Sequence, residues 1–202
     1  MQNPRMDTLQ AEIAASAARL VVEEGLEYGP AKRRAVKQLG LPARTALPDN
    51  DAVEDAVREY IDIFCAETQP AELAALRRLA LTWMERLQEF RPHLGGAVWH
   101  GTATRLSDIY LQLFCDDSKS AEISLIDHEV SYTPRTVTGF NGESVEALSL
   151  SSMSRELGEP VGVHLLVYDH DDLRGALKPD RKGRTPRGDL AAVRTLVQES
   201  ER

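Results

Sequence analysis

The sequence predicts an α+β fold, with a helical N-terminal half followed by a small mixed sheet flanked by helices. Apolar residues recur at three-four spacing as far as Phe90, and beyond Gly95-Gly96 the spacing shortens to alternation. The chain has 202 residues, 42% hydrophobic and 28% charged, which is enough apolar material for a packed core and too much for a disordered chain. The change of period divides the chain into a helical segment at 1–92 and a sheet domain at 93–202.

The first helix is read over 7–24, with Leu9, Ile13, Ala17, Leu20 and Val21 on one face and Gly25 beyond its end. Pro30 opens a second, short helix that closes at Gly40 and carries Lys32, Arg33, Arg34 and Lys37. Pro42 and Pro48 mark a connector in which Asp49 or Asn50 caps the third helix, whose stripe is Val53, Ala56, Val57, Tyr60, Ile61 and Phe64. Pro70 opens the longest helix, which buries Leu73, Leu76, Ala80, Trp83, Met84, Leu87 and Phe90 and stops at Arg91-Pro92. Strands are expected at 97–101, 109–115, 121–126 and 161–168, with a further short one near 145–150. The first pair at 109–115 and 121–126 is expected to form a hairpin around Asp116-Asp117-Ser118. The run 161–168 is nearly all apolar and should lie centrally in the sheet. Asp169–Asp172 caps a short helical turn, a basic loop follows over 175–188, and 190–197 forms the last helix.

Composition excludes several classes of function. A net charge of -8 argues against a basic surface spread over the whole molecule, so any nucleic-acid contact would be local. Two local basic clusters exist, Lys32 to Arg44 and Lys178 to Arg187. No stretch approaches the roughly 20 apolar residues of a spanning helix, and MQNPRMD lacks the apolar core of a secretion signal; a cytoplasmic protein without a membrane partner is expected. Cys65 and Cys115 sit among apolar neighbours and read as reduced thiols. No phosphate-binding Gly-Lys-Ser/Thr loop and no nucleophile-elbow pattern is present.

The segment 94–114, LGGAVWHGTATRLSDIYLQLF, carries the strongest chemical signal. A glycine turn lets backbone approach a polyphosphate closely, and side chains at alternate strand positions share a face on which they can hold magnesium. Gly101-Thr102 followed by Ser107-Asp108-Ile109 resembles the glycine turn and Asp-x-Asp strand entry of the nucleotidyltransferase superfamily. Gly95-Gly96 is an alternative for the leading glycine position. The resemblance implies a nucleotidyltransferase-like domain over 93–202 that binds a nucleoside triphosphate with magnesium. Gly101, Thr102 and Ser107 would contact the nucleotide, and Asp108 and Glu122 would be the metal-binding, catalytic carboxylates. The family's second carboxylate is replaced by Tyr110. That leaves two expectations, an altered or single-metal enzyme and a non-catalytic nucleotide-binding or protein-interaction module.

The helix rhythm over 17–60 is also similar to the DNA-binding head of TetR-type repressors, with a helix-turn-helix-like region over 7–50 in which Arg44 and Thr45 would read bases. His100, His128 and His164 all fall on or beside expected strands, where two of them could meet near Asp108; separate structural roles are expected for them.

Overall fold

The computed structural model describes residues 4–180 and 182–200, and the fold is α+β with a helical N-terminal half. Two compact units divide between Pro70 and Ala71.

The first unit contains α1 (Pro4–Glu24), α2 (Tyr28–Gln38) and α3 (Asn50–Phe64). Ile13, Ala17 and Leu20 of α1 meet Ala31 and Ala35 of α2 and Val53, Val57 and Ile61 of α3 in one buried cluster. Small alanines let the helices approach closely, and Asp49 caps α3 by accepting from the Ala52 N–H at 2.8 Å. Two residues of the basic cluster serve structure: Lys32 donates to the Pro48 carbonyl and to Asn50, and Arg34 pairs with Glu24. Residues 41–49 form no helix; Thr45 closes a turn onto the Pro42 carbonyl, because two prolines in so short a run deny it helical hydrogen bonds. Arg44 and Thr45 therefore lie on a turn, not on a recognition helix.

Beyond α3 the chain enters α4 (Gln69–Arg86), a 3-10 turn at Gln88–Phe90, β1 (His93–Gly95), α5 (Gly96–His100), β2 (Ile109–Cys115) and α6 (Lys119–Asp127). It continues through β3 (Thr133–Thr138), β4 (Ser144–Ser154), β5 (Glu159–Asp169), α7 (Leu173–Ala176), β6 (Arg187–Gly188) and α8 (Leu190–Ser200). The six strands run in the order β3-β4-β5-β2-β1-β6, and only β2 and β5 are parallel neighbours. Ile109, Leu111, Leu113, Leu148, Val163 and Leu165 share one face of the sheet. That face is covered by Leu76, Trp83 and Met84 of α4, Ala121 and Leu125 of α6, and Val193 of α8. On the opposite face Phe114 and Tyr168 stack with ring centroids 5.6 Å apart and pack with Ala176 of α7, covering only the part of the face near the C-terminal end of β2.

Three expectations are corrected. Residues 97–101 are mostly helical, not a strand: Gly96 takes φ +66, turns the chain out of β1, and α5 then closes at Gly101, where φ is +82. Residues 121–126 belong to α6 and not to a strand, so no hairpin joins them to β2. Ala121, Ile123 and Leu125 fit alternation, yet only Ala121 and Leu125, four apart, are buried, while Ile123 and Ile126 are 53% and 58% exposed. The long helix stops at Arg86, and Phe90 is carried by the 3-10 turn. The strand expected near 145–150 extends over Ser144–Ser154, and β3, whose residues are nearly all exposed, joins the sheet at its edge. Arg181 of the second basic cluster lies outside the described residues. Among the described residues no helix is long and apolar enough to cross a membrane.

Leu165 is fully buried on a central strand, so Leu165→Ala should destabilise the protein by about 2–5 kcal/mol, to be read from the midpoint of urea unfolding.

Candidate functional site

Strand alternation decides which residues reach the uncovered part of the sheet. Thr133, Ser149, His164, Tyr110, Gly95 and Arg187 occupy one register row running across all six strands, on the face opposite α4. Asp108 stands just before β2, two residues from Tyr110, and its side chain is 46% exposed. Its Oδ2 accepts a hydrogen bond from His164 Nε2 at 3.0 Å. On the other side of the imidazole, Nδ1 lies 2.9 Å from the Ser149 hydroxyl, and the Tyr110 ring stacks on the imidazole at 4.8 Å.

Gly162 makes this arrangement fit. A Cβ at that position would lie 2.5 Å from Asp108 Oδ1, so only glycine leaves room for the carboxylate to rest over β5. The His164 hydrogen bond holds the Asp108 carboxyl below the usual carboxylate range, aided by the charge of His164 and the Gly162 N–H, against the opposing effect of burial.

The residues expected from the sequence separate in space. Ser107 accepts from the Thr104 N–H at 3.0 Å and donates its own N–H to the Thr104 carbonyl, closing the tight turn that delivers Asp108 to the strand. Gly101 and Thr102 do not face Asp108. A Cβ at Gly101 would approach Arg77 and Leu73 of α4, and Thr102 is 3% exposed with its hydroxyl unpaired. Arg77 donates to the Val98 and Trp99 carbonyls and so ties α5 to α4. Of the two glycine pairs, Gly95-Gly96 adjoins the open face: Gly95 is in register with Tyr110, and a Cβ on Gly96 would lie 3.7 Å from the Tyr110 ring.

Glu122 is on the other side of the sheet. It is carried by α6, accepts from Lys119 Nζ at 2.9 Å and from the Tyr132 hydroxyl at 2.8 Å, and Lys119 also reaches Glu146. Those donors, Lys119 first, hold its carboxyl below the usual range. The sheet separates Glu122 from Asp108, so the two expected carboxylates form no common centre. Their separation follows from the helical state of 119–127, which the alternating apolar pattern concealed.

His164 and Ser149 were the residues to find. His164 alternates with buried Val163 and Leu165, so its outward face was legible in the sequence. Its pairing with Ser149 depends on β4–β5 register, which one sequence does not fix. His100 and His128 stay apart from it: His100 ends α5, and His128 follows α6, with Nδ1 2.7 Å from the Ser124 carbonyl.

A two-ion magnesium centre does not fit this donor set. Asp108 is the one carboxylate of the constellation, Tyr110 and His164 offer a phenol and an imidazole where hard anionic oxygens are wanted, and among the described residues no group of three or more His, Cys, Asp or Glu is placed to hold a metal. One carboxylate together with substrate phosphates does fit a single magnesium arriving on a nucleotide. No family model matches the chain, and comparison with the curated proteins and with the solved structures gives no match either.

Because the Asp108 carboxyl titrates lower folded than unfolded, the stability it confers is complete above its unfolded pKa of about 3.9 and is lost as pH falls through the folded value. Wild type should therefore exceed Asp108→Asn in stability at pH 7, and the gap should close in urea titrations below about pH 4.

Proposed function

We propose that the second unit is a nucleotidyltransferase-like domain that binds a nucleoside triphosphate, with its magnesium, on the open face of the sheet. The observation that carries this reading is the placement of Asp108. It presents a partly exposed carboxylate at the entry of β2, on the same face as Tyr110 two residues on, whose ring lies against the Gly96 position. Exposed Gly96 leaves room for a phosphate beside the tyrosine ring, and Asp108 supplies the oxygen ligand for the accompanying cation.

In this reading Ser107 acts by closing the turn that carries Asp108, Gly101 and Thr102 close α5 ahead of it, and Glu122 acts on α6 apart from the ligand. The row of Ser149, His164 and Tyr110 forms the floor. A polar floor with an aromatic member suits a ligand that combines charge with a flat ring. Tyr110 in place of a second carboxylate favours binding over two-ion chemistry.

Calorimetric titration with ATP, GTP, CTP and UTP, each with and without magnesium, tests the reading. Magnesium-dependent binding of at least one nucleotide is expected, and Asp108→Ala should abolish it. Absence of binding by all four would refute the assignment. Tyr110→Asp, which restores a second carboxylate on the same strand face, should tighten the magnesium-dependent component in the same titration.

A further inference from the structure

We propose that Ser149 is a nucleophile that accepts a nucleotidyl group, with His164 as its base and Asp108 as the residue that orients that base. The inference rests on the nucleotide reading of this face and goes further by naming the acceptor. Ser149 and His164 are directly opposed in the β4–β5 ladder, which brings the hydroxyl to 2.9 Å from Nδ1. Asp108 lies 3.0 Å from the other ring nitrogen. A nucleophile within hydrogen-bond reach of a base, and a base held by a third group, is the arrangement by which a weak serine nucleophile is activated.

The direction of the hydrogen bonds follows from charge. A carboxylate oxygen accepts, so with Asp108 Oδ2 at 3.0 Å it is Nε2 of His164 that carries the proton. Nδ1 is then the bare nitrogen, and the Ser149 hydroxyl donates to it. The Tyr110 ring stacked on the imidazole and the Gly162 N–H on Asp108 fix both groups from two further directions.

The electrophile is narrowed by what surrounds Ser149. β4 is paired with β3 on one side and β5 on the other at this row, so backbone N–H groups are engaged in the ladders and form no pair of donors for an acyl oxyanion. A triphosphate differs in bringing its own counter-ion and a stable leaving group. In the step, a bond forms between Ser149 Oγ and the α-phosphorus, and the bond from that phosphorus to the bridging oxygen of the β-phosphate breaks. Pyrophosphate departs with the electron pair, and the serine proton passes to His164 Nδ1. The product is a phosphodiester of Ser149.

The experiment is intact-mass analysis of the full chain incubated with magnesium and each of the four triphosphates, followed by peptide mapping, alongside calorimetric binding on the same samples. A gain of one nucleoside monophosphate at Ser149 is expected, absent in Ser149→Ala and at least tenfold slower in His164→Gln, with circular dichroism and a wild-type urea-unfolding midpoint confirming that both variants are folded. Binding without modification, or modification at a different residue, overturns the proposal and leaves the nucleotide reading standing. No binding by wild type removes the reading and the proposal with it.

Discussion

The parallel pairing of β2 with β5 is the constraint on which the second unit depends. Two parallel neighbours cannot be joined by a tight turn, so the chain between them must travel, and here it travels through α6, β3 and β4 before returning. That path places α6 against one face and brings β4 beside β5. Without it Leu111, Leu148 and Leu165 would not lie in one register row beneath α4. The same pairing aligns Tyr110, His164 and Ser149 on the reverse face. Core and site are therefore two sides of one register, and a one-residue slip would exchange them.

Electrostatics on the open face is economical. An aspartate at a strand entry would ordinarily be a solvated charge, but here a glycine beneath it and a histidine beside it convert it into a fixed acceptor. Space is created by leaving out a side chain, and direction is supplied by an imidazole. Elsewhere the charges serve structure: Lys32 fastens a connector, Arg77 ties α5 to α4, and buried Arg187 lies over the Phe140 ring at 4.7 Å while donating to the Ala176 carbonyl. The two basic clusters that stand out in the sequence are thus partly absorbed by the fold itself.

Much of the fold was legible in the sequence, and the errors have physical causes. Helical spacing located α1, α3 and α4 because each covers a continuous apolar surface, and Val161–Tyr168 was recognisable as a central strand because nearly every residue in it is apolar. Ala121 to Ile126 misled because an Ala-x-Ile-x-Leu pattern satisfies both periods over so few residues. Ala97 to Gly101 misled because valine and tryptophan favour strands, and only the positive φ of Gly96 redirects them. At the candidate site, strand alternation in the sequence placed Asp108 and Tyr110 on one face of the strand. The contact of Ser149 with His164 was invisible, because it joins residues fifteen apart through a register fixed by the packing of the other face.

The contact between Trp99 and Gly188 has a consequence for the order in which the unit is completed. The indole lies where any side chain at 188 would have to be, and its Nε1 donates to the Thr185 carbonyl at 2.8 Å. β6 pairs with β1 through Leu94 and Gly95, the residues that lead directly into the glycine turn. A nascent chain ending before residue 187 would thus have the other five strands of the sheet and still expose one edge of β1, together with an unshielded indole. During synthesis the glycine turn therefore gains its neighbour only after residues 187 and 188 have been made, and the Trp99 indole reports that step.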